Sequence, residues 1–222
     1  MFCYIFAINY KKNKMTNFLK KLSKVTAIIV ATSFMVGCSG EDGKDGEGFS
    51  ELTKYGSISM SLDGIRPDNL PFTDSQVFKF TSVADVDDYN SMYRSGDDLE
   101  FYVARFLSAP DDTYQETYVE FNLNVTDAGL PTESISLEYF DLEDYSVIAD
   151  DYTYFVMNDY FRLYDPVTYG ISNLSVTNYS FNDTTNRLRF DYSFVVDGAN
   201  NDSNNELTIT GTVDVNVLEN ID

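Results

Sequence analysis

Arg187-Leu188-Arg189-Phe190-Asp191-Tyr192-Ser193-Phe194-Val195-Val196 is the stretch that decides the fold. Leu188, Phe190, Tyr192, Phe194 and Val196 fall at every second position, against Arg187, Arg189, Asp191 and Ser193. Side chains of an extended chain alternate between two faces, so this period puts the apolar set on one side and the polar set on the other. Val119, Phe121, Leu123 and Val125 repeat the pattern against Glu120, Asn122 and Asn124. So do Leu207, Ile209, Val213, Val215 and Val217 against Thr208, Thr210, Thr212, Asp214 and Asn216, with Gly211 on the inner side. Each reads as a strand with one face packed and the other wet.

Working outward, weaker alternation predicts strands over 57–62, 77–83, 99–107, 135–139, 152–157 and 174–181. Asp63-Gly64 is expected to end the first strand, and Asn182-Asp183-Thr184-Thr185-Asn186 to turn a hairpin. A longer polar loop is expected from Asp197 to Asn205. A single helical turn over 85–94 is the only helix expected in the body. The chain has 222 residues, 43% of them hydrophobic, which is enough for one continuous core. The expected fold is all-β: a single antiparallel β-sandwich over 49–222, with a closed β-barrel as the alternative.

Composition removes several function classes. There is no histidine, so Ser-His-Asp and Cys-His catalysis, His-ligated metal sites and imidazole switches are excluded. The formal net charge of -21 excludes a nucleic-acid partner, because phosphate neutralisation needs clustered Lys and Arg. No cofactor motif is present. The charge is also segregated. Lys11, Lys12, Lys14, Lys20, Lys21 and Lys24 precede Cys38 with no acidic residue among them, so all 36 acids lie beyond it. A cationic start on an anionic body reads as a targeting segment joined to its cargo.

From Met15, a short lysine-bearing stretch leads into the uncharged run Val25 to Val36, which closes in Met35-Val36-Gly37-Cys38. That run is well short of the ~20 apolar residues that cross a bilayer as a helix, and suits an export signal. The closing residues resemble the lipobox of bacterial lipoproteins, with Met35 where leucine is commoner. The resemblance implies cleavage between Gly37 and Cys38 and acylation of Cys38, which becomes the first residue of the mature chain. Several acyl chains give firm anchoring, so the membrane is the expected partner. The signal region is 1–37, translation is expected to start at Met15, and Cys3 departs with the signal. The body is then built without disulfides.

Ser39-Gly40-Glu41-Asp42-Gly43-Lys44-Asp45-Gly46-Glu47-Gly48 has nothing to bury, so 38–48 is expected to be a flexible tether. Its acidic run behind the cysteine resembles the export signal of surface lipoproteins in some Gram-negative groups, implying an outer-membrane protein that faces the cell exterior. The last strands, Arg187 to Val217, look like those of uncharacterised β-sandwich lipoproteins of such bacteria, a resemblance that implies no activity. The expected function is therefore non-enzymatic: binding or envelope structure, with the glycan or protein partner unidentified.

Three chemical alternatives remain. Tyr145, Tyr152, Tyr154, Tyr160 and Tyr164, interleaved with Asp150, Asp151, Asp159 and Asp165 in the tyrosine-rich segment 139–169, suggest a glycan-binding face. Rings stack on sugars while carboxylates accept from hydroxyls; the bland reading is that tyrosine suits half-buried strands. Asn200, Asp202, Asn204 and Glu206 alternate like the start of a calcium loop, but Asn205 stands where such a loop has glycine. The acidic clusters Asp85-Asp87-Asp88, Asp97-Asp98, Asp111-Asp112, Asp141-Glu143-Asp144 and Asp150-Asp151 admit a carboxylate-dependent glycoside hydrolase. With so many acids a pair somewhere is guaranteed, and a solvated, self-repelling surface explains them equally well.

Overall fold

The computed structural model describes residues 55–80, 89–107 and 117–219. The signal region with Gly37 and Cys38, the tether, and Asp85, Asp87, Asp88, Asp111 and Asp112 lie outside the described residues. Every described element is a strand: β1 (Gly56–Ile65), β2 (Pro71–Lys79), β3 (Asn90–Ser95), β4 (Asp98–Phe106), β5 (Tyr118–Thr126), β6 (Ser134–Ile148), β7 (Tyr154–Arg162), β8 (Ile171–Asn182), β9 (Arg187–Val196), β10 (Leu207–Asn216) and β11 (Leu218–Glu219). All belong to one sheet, ordered β7-β6-β5-β4-β2-β1-β10-β9-β8, with β3 on β4 and β11 on β3. The ladders are antiparallel except for β3–β11. The sheet is open: β7 and β8 are its ends, and no ladder joins them. That corrects the closed-barrel alternative.

The deciding stretch is β9, and the buried positions are those the alternation marks: Leu188, Phe190, Tyr192, Phe194 and Val196. Its neighbour β10 brings Gly211 opposite Tyr192. A Cβ at Gly211 would collide with the Ser59 carbonyl oxygen and the Tyr192 hydroxyl. The bare glycine therefore lets the Tyr192 ring lie across the strand and donate its hydroxyl hydrogen to Ser59 O at 3.1 Å. Rings also meet between strands that the ladder keeps far apart. Phe121 of β5 meets Phe190 of β9 edge-on at 5.2 Å, and Phe161 of β7 meets Phe194 at 5.5 Å. Phe101 of β4 meets Phe181 of β8 at 5.2 Å, and Phe72 of β2 meets Phe155 of β7 at 5.3 Å. Between β2 and β4, among the described residues, only Lys79 and Phe106 are paired.

Four local expectations are revised. Asp63 and Gly64 stay inside β1, paired with Thr73 and Phe72; the turn is made by Arg66–Leu70, where Leu70 O accepts the Arg66 N–H and Asn69 has φ 66°. Residues 90–94 of the expected helical turn are strand β3. β6 runs 15 residues where five were expected, because a register shift between Leu142 and Tyr145, with Asp144 at φ 46°, carries the strand through its acidic middle. Tyr152 lies in the turn before β7, at φ 65°, rather than in the strand.

Candidate functional site

The outer face of β4–β7 follows directly from the register. One row across the strands reads Tyr102, Asn122, Tyr139, Arg162, and the next reads Ala104, Glu120, Asp141, Tyr160. Glu100 and Asn124 flank the first row, Tyr118 and Glu143 the second. Tyrosines and carboxylates therefore alternate over one surface, and they bond each other. Tyr102 donates to Glu100 at 2.5 Å, Tyr139 donates to Glu120 at 2.5 Å, and Asn122 Nδ2 donates to Glu100 at 3.2 Å. The hydrogen bond to Glu100, with burial, pushes the Tyr102 phenol up to about 12. Burial and then Glu120 hold the Tyr139 phenol above its ordinary range.

Tyr139 stacks on Tyr160 at 5.1 Å, the Arg162 guanidinium lies over Tyr160 at 5.7 Å and over Tyr169 at 4.9 Å, and Tyr169 meets Tyr164 at 6.3 Å. Much of this aromatic surface is thus committed to its own neighbours.

The five tyrosines singled out from the sequence do not share one surface. Tyr145 is 1% exposed, packs on Phe78 and donates its hydroxyl hydrogen to Asp74 at 2.8 Å. Tyr152 is 96% and Tyr154 72% exposed, one in a turn and one at the start of β7. Tyr160 lies six positions further along, ~20 Å at strand rise, and Tyr164 follows the end of the strand. The structure brings together Tyr160 and Tyr164 through Tyr169 and Arg162, and leaves Tyr145 in the core.

A glycoside hydrolase needs two carboxyls facing each other, one of them held protonated. Among the described residues two carboxyls are raised, Asp141 and Asp159, each to about 6 and each chiefly by burial. Asp141 is on the outer face opposite Tyr160, whereas Asp159 is opposite Leu142 and points inward with Met157 and Phe161. They lie on opposite faces of the sheet, which gives hydrolysis no support.

The 197–206 loop is held from within. Asn201 Nδ2 donates to Asp197 O and Asn205 O, both at 2.8 Å, and its Oδ1 accepts from the Ser203 N–H at 2.9 Å and hydroxyl at 2.5 Å. Of the calcium candidates, Asn200 donates to Asp197, Asn204 donates to Asp202 O, Asp202 accepts from the Asn158 N–H, and Glu206 is exposed. Among the described residues no three acidic, histidine or cysteine side chains are grouped to hold a metal. The residues that organise the loop, Asn201 and Ser203, are the buried ones between those candidates.

Fold and surface together define an acidic all-β domain on one open sheet, with a face of interbonded tyrosines and carboxylates. Compared with protein-family models, curated proteins and solved structures, the chain matches none of them.

Proposed function

We propose that the chain is a lipid-anchored lipoprotein of a Gram-negative outer membrane, whose β domain faces the cell exterior and serves in binding or envelope structure. The observation that carries this is the lysine-flanked apolar run closing in Met35-Val36-Gly37-Cys38, followed at once by an acidic glycine-rich stretch. The acidic body suits the role: mutual repulsion keeps an exposed domain soluble and separate from its neighbours. We read its sheet as the two layers of a sandwich, supported by the ring contacts between β4–β7 on one side and β2, β8 and β9 on the other.

Metabolic labelling with palmitate in a Gram-negative host tests the anchor. The wild-type chain takes up label and partitions into detergent, while Cys38→Ala stays unlabelled and moves to the aqueous phase. Equal membrane association of Cys38→Ala overturns the proposal. A second reading is that the domain binds a glycan. It is favoured by the exposure of Tyr154, Tyr160 and Tyr164 in and just after one edge strand, beside carboxylates that can accept from hydroxyls.

A further inference from the structure

Two cavities open away from the tyrosine-rich segment, where β3 and β4 approach the turn of the β8–β9 hairpin. One holds about 300 Å³, the other about 310 Å³, and Arg94 and Leu99 line both. In the first, Leu99, Ala128 and Phe181 supply apolar surface, and Phe181 is fixed edge-on against Phe101 at 5.2 Å. Glu133, Tyr179 and Asp183 supply the polar groups. Asp183 is tied to Arg94 at 2.5 Å, and Glu133 accepts the Gly129 N–H at 2.7 Å, so both carboxylates are held in place with lone pairs to spare.

Tyr179 is half-buried, yet among the described residues its hydroxyl has no hydrogen-bond partner. Burial, with Glu133 and Asp183 nearby, pushes that phenol up to about 12, so it stays a donor at any physiological pH. The second cavity presents the 39%-exposed Tyr93 beside Asp98, Glu100 and Asn124. This is the composition expected of a small polar ligand's site: an apolar floor with a few convergent, pre-positioned polar groups.

The charges narrow the ligand. Glu133 and Asp183 on one side, and Asp98 and Glu100 on the other, repel an anion, and the only cation lining either cavity among the described residues, Arg94, already pairs with Asp183 and lies 3.7 Å from Glu219. A purely apolar ligand would strand four carboxylates. Asp183 is neutralised by Arg94, and Glu133, Asp98 and Glu100 already accept from the Gly129 N–H, from the Asp127 N–H, and from Tyr102 with Asn122. No carboxylate therefore awaits a cation unbonded, and the wall of Leu99, Ala128 and Phe181 offers a cation nothing. What satisfies aromatic rings, carboxylate acceptors and free phenolic donors together is a ring that is apolar on its faces and hydroxylated at its rim. Each cavity is near the lower end of ligand-pocket volumes, suited to a small sugar unit. We infer that the two cavities form a two-subsite cleft for a short neutral glycan, with Arg94 between the subsites. The inference rests on the glycan reading and moves its contact from β7 to this cleft.

The purified full chain is screened on an array of short, neutral, linear oligosaccharides, and the strongest binder is titrated by calorimetry. Tyr179→Phe, which keeps the ring and removes one donor, weakens binding about three- to ten-fold, and Tyr93→Phe at the exposed subsite does the same while keeping the edge contact with Tyr102 and with it the melting temperature. Binding that survives both substitutions but is lost in Tyr160→Ala overturns the cleft and keeps the glycan reading on β7. Absence of binding to any neutral oligosaccharide overturns both, and preference for a lysine-rich peptide over every glycan overturns the cleft.

Discussion

Asp159 is 8% exposed, on the inward face of β7 between Met157 and Phe161, and its carboxylate accepts the Asp202 N–H at 3.2 Å. Burial raises it to about 6 despite that bond, with Asp202 and Asp141 adding repulsion. The folded value lies above the unfolded one, so the stability it contributes is fully present below about pH 4 and lost as the pH rises through about 6. At neutral pH the domain therefore carries a buried ionised carboxylate with no cation beside it among the described residues. Asparagine keeps the accepting oxygen and removes the charge. Asp159→Asn is expected to stabilise the chain at about pH 8 by roughly 1–2 kcal/mol, a rise of a few degrees in Tm, and to do nothing at about pH 4. Thermal melts at the two pH values check it, and a fall at the higher one contradicts it. Asp151 shows the opposite environment. Arg66 donates to it at 3.0 and 3.1 Å and to Asp68 at 2.6 and 3.0 Å, holding Asp151 well below the usual carboxylate range. That fork clamps the β1–β2 turn to the β6–β7 turn.

At the scale of elements, β8 is an edge without a charge anywhere from Ile171 to Asn182, in a chain of net charge -21. Neutral exposed edges invite strand pairing between molecules, and lysine or proline usually prevents it. Here two bulges do so. Between Ser172 and Ser175, and again between Thr177 and Ser180, two residues of β8 face one of β9, and Asn173 and Asn178 take φ 53° and 54°. Asparagine tolerates this left-handed backbone where most residues do not. Deleting Asn173 and Asn178 together straightens the edge, and sedimentation should then show concentration-dependent association that the wild type lacks; a strictly monomeric deletion variant refutes the protective role. These bulges also mark where the sequence stops being legible. Strict alternation exposed β5, β9 and β10, because one buried face imposes a period of two. Weaker alternation placed strands at 174–181 and 135–139, inside β8 and β6, but not their full extent: β8 is mostly exposed and gives little face to read, and in β6 Asp141, Glu143 and Asp144 look like a turn although Leu142, Tyr145 and Val147 continue inward. The glycan-face tyrosines were legible as a cluster but not as a surface: Tyr145 shares the composition of Tyr154 and points the other way. The Arg94 cleft depends on β3, on the turn around Gly129 and on the β8–β9 hairpin, which are remote in sequence and carry no common motif.

For the whole molecule, the absence of histidine and the abundance of buried or acid-bonded tyrosine shape the response to pH. Burial first, with neighbouring carboxylates, raises Tyr118, Tyr139 and Tyr145; burial alone raises Tyr192; Tyr102 and Tyr179 are raised to about 12. A phenol with a raised folded value contributes stability that is complete below its unfolded value of about 10 and is lost as the pH climbs through the folded value, because the unfolded chain releases the proton first. Arg105 works the other way. It is fully buried, donating to Ala104 O, Tyr55 O and Asn90 Oδ1, with no carboxylate partner among the described residues, and burial lowers it to about 9. It is one group against the six tyrosines just named, which are spread over β4, β5, β6, β8 and β9 and so act on the entire sheet. On the acid side, Asp68, Asp151, Asp191 and Asp214 are held below the carboxylate range by hydrogen bonds, and their contributions vanish as the pH falls below about 4. Asp141 and Asp159 finish titrating just above about pH 6, and no histidine titrates beyond them. Stability should therefore be nearly flat from about pH 7 to 9 and fall steeply above about pH 10. Melting followed together with phenolate absorbance checks this: the loss of structure and the ionisation of the buried tyrosines must coincide in one cooperative step. Phenolate appearing gradually while the melting temperature stays level would show that these rings are open to solvent and do not hold the sheet together.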